Sequence, residues 1–314
     1  MYTAFTVTVD LRDGITTGIS AADRTATLLK LADPASLPGQ FRRPGHIFPL
    51  RSRPGGVLVR PGHTEASVDL ARLAGCFPAG ALCEIVSKAD GSMARTPELL
   101  SFAKQHGLKC ITIADLMRYR LKHEKLVELT SSAVIDTPRY GRLQVHTFKS
   151  ALDGMEHVAV VAGDVAASAG PALVHVQAES SIMDLLDVAA SPGSSSTGEL
   201  LQRMASHGTG GVLVYMRQER PSGASVLAEE LRQLGQGAGP RDSEPTLDLR
   251  AYGLAAQILA TLKVTSVVLA ASEDKAQQQA LRSCGVAVVA ASNGSVLLKH
   301  NSNGQAKVAA VSSA

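Results

Sequence analysis

The chain has 314 residues, 45% of them hydrophobic, which is length for two domains and enough apolar material for sizeable cores. Its 31 basic residues against 28 acidic ones leave a net charge near +3, and only 4% are aromatic with no Trp, which argues against a nucleic-acid surface. No apolar run reaches the roughly 18 residues of a membrane span, and Cys76, Cys83, Cys110 and Cys284 are sparse, form no CxxC, and read as reduced, buried thiols without a zinc site.

The N-terminus carries neither a secretory signal nor an Arg/Ser-rich transit segment, so a soluble, cytoplasmic protein is expected. Residues 4–9 alternate and are β-branched, predicting a strand. A chain that opens in mid-strand suggests that further sequence precedes Met1. Asp13-Gly14-Ile15-Thr16-Thr17-Gly18 is a loop whose paired hydroxyls suit a phosphate or sugar, or equally a polar turn. Ser20 then caps a helix to about Leu31, with Asp23 placed as in a capping box. Arg42-Arg43-Pro44-Gly45-His46 is a basic turn, and Val57-Leu58-Val59 a short strand.

Gly62 precedes a segment of helical spacing that sets Ala66, Leu70, Leu73 and Ala74 on one face and Glu65, Asp69 and Arg72 on another. Arg60, Gly62, His63 and Thr64 therefore fall at a loop-to-helix junction, where free N–H groups favour anions. Arg60 adds a fork of donors and Thr64 a hydroxyl; His63 can bind a metal or move a proton. A capping Thr, a surface Arg and a locally bonded His fit the same residues. Ala79–Val86 reads as a buried strand, on which Glu84 would need a partner or a shifted pKa. A helix over Glu98–Lys104, a strand over Cys110–Ile113 and a helix over Ala114–Leu129 follow. The basic run Arg118–Lys125 reads as a solvated helix face.

Thr130–Pro138 reads as a polar join. Beyond it, strands are expected at 142–148, 156–162, 173–177, 211–216, 264–270 and 286–291, with helices at 226–234 and 247–262. Segments 191–198 and 235–245 read as loose loops, and the chain from Lys299 as a disordered tail. The fold class is thus α/β, a layered α+β arrangement of two domains, each a mixed sheet flanked by helices. They would cover residues 1–129 and 130–300, with a tail at 301–314.

Six segments recur in one order: Phe5-Thr6-Val7-Thr8-Val9-Asp10, Gly14 to Arg24, Arg43-Pro44-Gly45-His46, Arg60-Pro61-Gly62-His63-Thr64-Glu65-Ala66, Cys83-Glu84-Ile85 and Asp90-Gly91-Ser92-Met93-Ala94-Arg95. Together they resemble 3,4-dihydroxy-2-butanone 4-phosphate synthase of riboflavin biosynthesis. That resemblance implies a homodimeric lyase that converts ribulose 5-phosphate to the four-carbon phosphate and formate with Mg²⁺ or Mn²⁺. It puts the family's RxGHT substrate segment on Arg60, Pro61, Gly62, His63 and Thr64, its metal-binding His on His63, and its essential acid on Glu84. Thr17, Asp23 and His46 lie in segments that line or support the pocket. The family's acidic loop, D-x-E-D-R-E-N-E-G-D, has no counterpart here, so the expectation is an N-terminally truncated synthase domain with an exposed sheet edge or apolar face.

In the second half, Arg139-Tyr140-Gly141, Leu152 to His157, Val214 to Glu219 and Tyr252 to Leu259 are similar to GTP cyclohydrolase II. The resemblance puts that family's catalytic Asp and Arg on Asp248 and Arg250. It also puts Ala178-Glu179-Ser180 and Ala190-Ser191-Pro192-Gly193 where the zinc cysteines stand. Serine is a poor zinc ligand beside a thiolate. Glu219-Arg220-Pro221-Ser222 replaces a phosphate loop, and Ser243-Glu244-Pro245-Thr246 is a shortened segment. An inert, zinc-free unit is expected, with Asp248 and Arg250 as a structural ion pair. Two readings result: a synthase fused to an inert unit, as in the bifunctional proteins of bacteria and plants (hence a plastid in a plant), or a non-catalytic scaffold or regulator pairing as a heteromer with active riboflavin enzymes.

Overall fold

The computed structural model describes residues 3–187, 195–217, 247–270 and 275–289, together with residues 227, 228 and 231. The first unit opens with β1 (Val9–Leu11), α1 (Ala21–Leu31) and β2 (Phe41–Ile47). β1 and β2 pair antiparallel, Val9 opposite Ile47 and Leu11 opposite Phe41. Ser20 caps α1 as its residue type predicts, accepting the N–H of Asp23 at 3.0 Å.

Of four strands expected here, those at 57–59, 80–86 and 110–113 do not form, and that at 4–9 is reduced to β1. Residues 4–8 carry an isolated Phe5–Leu50 bridge, and the Thr8 hydroxyl accepts the Gly45 N–H of β2 at 3.2 Å; Val57 lies in a 3₁₀ turn, Gly56–Leu58. The segments 80–86 and 110–113 carry one bridge, Val86 to Met93. Their residues have strand propensity, but no strand among the described residues runs beside them to complete a ladder. The first unit thus has a two-stranded antiparallel pair in place of the expected mixed sheet. Phe5, Phe48, Val86, Leu100 and Ile111 are exposed.

α2 (His63–Leu73) forms as its spacing predicts, but its faces are exchanged. Glu65 and Asp69 are buried while Leu70 and Leu73 are 43% and 39% exposed. The charged face wins because partners await it. Arg60 and the Arg53 N–H meet Glu65; Arg120 and the Val57 N–H meet Asp69. α3 (Thr96–Gln105) and α4 (Ile113–His123) follow. Thr112 and Asp115 form a capping box at the start of α4. The helix stops at His123 because Glu124 is extended. The solvated face expected of Arg118–Lys125 fails at Arg120, whose side chain is 2% exposed.

Residues 130–137, expected as a join, belong to β3 (Val127–Thr137), an edge strand exposed on both faces after Val127. Such a strand has no apolar alternation and looks like a linker in sequence. β4 (Gly141–Ser150), β5 (Glu156–Ala162), β6 (Ala172–Ala178), β7 (Gly211–Met216), β8 (Ser266–Leu269) and β9 (Ala287–Val288) complete a seven-stranded mixed sheet ordered β3-β4-β5-β7-β6-β8-β9. The pairs from β3 to β7 are antiparallel and those from β7 through β6 and β8 to β9 parallel. Short α5 (Ser181–Leu186), α6 (Thr197–Ser206), α7 (Leu249–Thr261) and α8 (Lys275–Ser283) flank it.

Val174, Val176, Val212 and Val214 pack with Leu254, Ile258 and Leu259 of α7. Leu173 and Leu213, one residue out of step, turn to Met204 of α6. Covered faces on both sides explain the apolar runs Ala172–Val174 in β6 and Val212–Met216 in β7. The larger core also takes in Leu58, Leu121 and Leu126 of the first unit. The expectations at 191–194, 219–222, 243–246, 290–291 and 299–314, and most of the 226–234 helix, lie outside the described residues.

Candidate active site

The Arg60–Thr64 junction has the geometry of an anion site. Gly62, extended at φ −125° and ψ 158°, leads into α2 and has no side chain to cap it. The first-turn N–H groups are therefore available to another acceptor. The Arg60 fork is fixed beside them. Its Nη1 donates to Glu65 Oε2 at 2.6 Å and its Nη2 to Thr3 Oγ1 at 3.4 Å. Its Nε is buried and has no hydrogen-bond partner. Gly62 is needed for this: a Cβ there would lie 2.3 Å from Arg60 Nη1. Thr64 is buried and His63 exposed.

Glu84 is exposed, on coil rather than on a buried strand, so the partner demanded of a buried carboxylate is not required. Its segment runs against α2: a Cβ on Gly80 would lie 2.8 Å from the Ser67 carbonyl oxygen.

A second cluster joins β1, β2 and the loop before α1. His46 Nδ1 lies 2.7 Å from Asp10 Oδ2, and the His46 N–H donates to Asp10 Oδ1 at 2.8 Å. Asp10 is 5% exposed. Burial pushes its pKa up, and the His46 bonds outweigh that, so the net shift is downward. Gly18, at φ 96°, lies against the pair; a Cβ would meet Asp10 Oδ2 at 2.3 Å. Asp23 closes the loop, accepting from the Thr16 hydroxyl at 2.7 Å, the Thr16 N–H and the Gly18 N–H. Those bonds, the Thr16 hydroxyl first, hold its pKa down to about 2. Thr17, the expected substrate contact, is exposed beside them. Sequence reasoning missed Asp10. Its signal was a carboxylate within a β-branched strand segment, whose meaning depends on the pairing with β2.

No group of three His, Cys, Asp or Glu that could hold a metal occurs among the described residues. Magnesium takes six oxygens and keeps several as water. The described residues form no such cage, and His63 stands exposed at the start of α2.

In the second unit Asp248 caps α7, accepting the Ala251 N–H at 2.9 Å. Arg250 lies 3.8 Å from Asp248 and 4.0 Å from Asp153. His157 is buried and its Nδ1 accepts the Arg217 N–H at 3.2 Å, with burial lowering its pKa. The chain beyond Ala178-Glu179-Ser180 is tied down by Asp184, which accepts from the Ser180 N–H, Gln177, Thr197 and Tyr215.

A helix start suited to anions in one unit and a seven-stranded mixed sheet in the next define a two-domain α/β protein with its candidate site in the first domain. The family model for 3,4-dihydroxy-2-butanone 4-phosphate synthase matches residues 1–119, and that for GTP cyclohydrolase II matches residues 128–293. A two-domain 3,4-dihydroxy-2-butanone 4-phosphate synthase from A. baumannii, RibBX, superposes with a TM-score of 0.67 at 34% identity, over 92% of this chain and 77% of that one. The riboflavin biosynthesis protein RibBA of Chlamydia muridarum is 45% identical over 85% of this chain and 63% of its own length. A probable bifunctional riboflavin biosynthesis protein of rice, RIBA 2, chloroplastic, is 44% identical over 91% of this chain and 52% of its own. The chain belongs to the two-domain 3,4-dihydroxy-2-butanone 4-phosphate synthase family, whose second domain is of GTP cyclohydrolase II type. It spans about half to two thirds of the length of these curated relatives. No described helix is long and apolar enough to cross a membrane.

Proposed function

We propose that the first unit takes part in riboflavin biosynthesis by converting ribulose 5-phosphate to 3,4-dihydroxy-2-butanone 4-phosphate and formate. The observation that carries this reading is the Arg60 fork, clamped by Glu65 at the uncapped start of α2, with a buried donor that has no partner. A sugar phosphate would take the first-turn N–H groups and the fork together, so binding energy at the phosphate fixes the carbons. His46, held by Asp10 through Nδ1, leaves Nε2 to move a proton as a general acid or base. Glu84 and Thr17 stand exposed, Glu84 to accept a proton and Thr17 to bind a hydroxyl. Mg²⁺ or Mn²⁺, when bound, would polarise the ketose as a Lewis acid, with His63 as this chain's described ligand.

The second unit does not hydrolyse GTP in this reading. Its Asp248 is engaged as a helix cap, and Ser180 follows β6 where a zinc thiolate would be needed. A scaffold role is the second reading, favoured by the exposed apolar residues of the first unit, which suit a homodimer or a heteromer with related riboflavin enzymes. The cytoplasm, or a plastid in a plant, is the compartment proposed. The test is formate release from ribulose 5-phosphate, with Mg²⁺ and with EDTA, beside Glu84→Ala. Metal-dependent release lost in the variant supports the enzyme; none from folded protein supports the scaffold.

A further inference from the structure

The two units meet where α7 crosses the C-terminal end of α4. Gly253 of α7 approaches so closely that a Cβ there would lie 2.4 Å from Leu121 Cδ2. One turn later Gln257 uses both ends of its amide on the first unit. Nε2 donates to the carbonyls of Leu121 and Glu124, each at 2.8 Å, and Oε1 accepts the Leu126 N–H at 2.8 Å. The last carbonyls of a helix have no partner within it; α4 receives two of its partners from the other unit.

Glu124, whose carbonyl Gln257 holds, grips Arg120 with both carboxylate oxygens, Nε to Oε1 at 2.7 Å and Nη2 to Oε2 at 2.8 Å. Arg120 Nη1 in turn donates to Asp69 Oδ2 at 2.8 Å and to the Gly55 carbonyl at 2.7 Å. Asp69 accepts the Val57 N–H at 2.9 Å. The path thus runs unbroken from α7, through a bidentate charged pair, to the turn that feeds Arg60 and to the buried face of α2. Gly56 shows how tightly it closes: a Cβ there would lie 2.2 Å from Asp69 Oδ1.

We infer that Gln257 is a positioning residue for the Arg60–Thr64 junction, so that the cyclohydrolase-type unit serves as a structural part of the synthase site. Its consequence for turnover rests on the function proposed above; the physical coupling does not. Coupling through such a network is worth about 0.5–2 kcal/mol, so roughly a tenfold effect is expected.

The test uses the full chain and two variants, Gln257→Ala and Glu124→Gln; the second leaves the amide contacts of Gln257 in place and weakens the next link. Amide exchange at residues 55–64 should accelerate about tenfold in each, with β4 and β5 unchanged. The KM for ribulose 5-phosphate should rise about tenfold while kcat stays within about twofold. Rescue by Gln257→Glu should fail, because it cannot donate to the Leu121 and Glu124 carbonyls. Unchanged exchange at 55–64 in both variants, or acceleration spread evenly over both units, overturns the inference. A wild-type chain without turnover overturns the functional reading, and the exchange result still decides the coupling. If Gln257→Ala fails to fold, Glu124→Gln alone decides.

Discussion

Glu65 is the residue on which the candidate phosphate site is most exposed to test. It is 1% exposed, and its two oxygens hold the Arg60 fork at 2.6 Å and the Arg53 N–H at 2.9 Å. Glu65→Ala removes both acceptors and strands a guanidinium that is itself only 17% exposed. Breaking one side of a buried pair costs about 3–5 kcal/mol, and the partial exposure of Arg60 places this case near 3. Glu65→Gln keeps the shape and one acceptor, and should cost about 1–2 kcal/mol. Arg60→Met with Glu65→Leu removes both charges together and should recover most of the loss. Urea unfolding would read these as shifts in midpoint at constant slope, roughly 1–3 M for Glu65→Ala. The same variants should weaken inorganic phosphate binding, because an unheld fork loses its fixed geometry. A loss below about 1 kcal/mol for Glu65→Ala, or a double variant as unstable as the sum of the singles, would refute the reasoning.

Three further outcomes are expected. Gly45→Ala should destabilise the first unit severely, because its Cβ would fall 2.0 Å from the backbone carbon of Val9, which cannot yield as a side chain can; circular dichroism melting checks it. Asp23 has its pKa lowered from 3.8 to about 2, so its stabilising contribution is complete above pH about 4 and disappears as pH falls toward 2. Asp23→Asn should therefore be less stable than wild type at pH 6, and the gap should close on acidification. Asp248→Ala should cost about 1 kcal/mol through loss of the α7 cap, visible in urea unfolding, and leave formate release unchanged.

The sheet of the second unit was legible because both faces of β5, β6 and β7 are covered, which writes apolar runs into the sequence. β3 was not legible, since an exposed edge strand has a linker's composition. In the first unit the cap of α1 and the start of α2 follow from local chemistry, and they did appear in the residues; Thr112 of the α4 capping box falls in an expected strand. The buried face of α2 did not. Hydrophobic spacing favours the Leu70 and Leu73 side, and partners supplied by tertiary structure reverse it, Arg120 from 51 positions beyond Asp69 among them. Residues 80–86 and 110–113 have the composition of strands and lack neighbours to pair with. That Arg60, Gly62 and His63 lie at a loop-to-helix junction was legible from the helical spacing that follows them. Asp10 was not, because its role exists only once β1 and β2 align.

One arrangement in the second unit bears on its history. β6, β7 and β8 run parallel, so the chain leaves the sheet after each of them at one rim, where the Asp248 cap of α7 also carries a charge. The segments that depart from the cyclohydrolase pattern follow those strands or precede that cap in sequence. The surfaces that hold α4 lie elsewhere, on the body of α7. Gly253 and Gln257, which make the contact with the first unit, are not among the residues of that rim. The rim and the α4 contact are therefore separable by mutation: residues at one can be exchanged without touching a residue of the other.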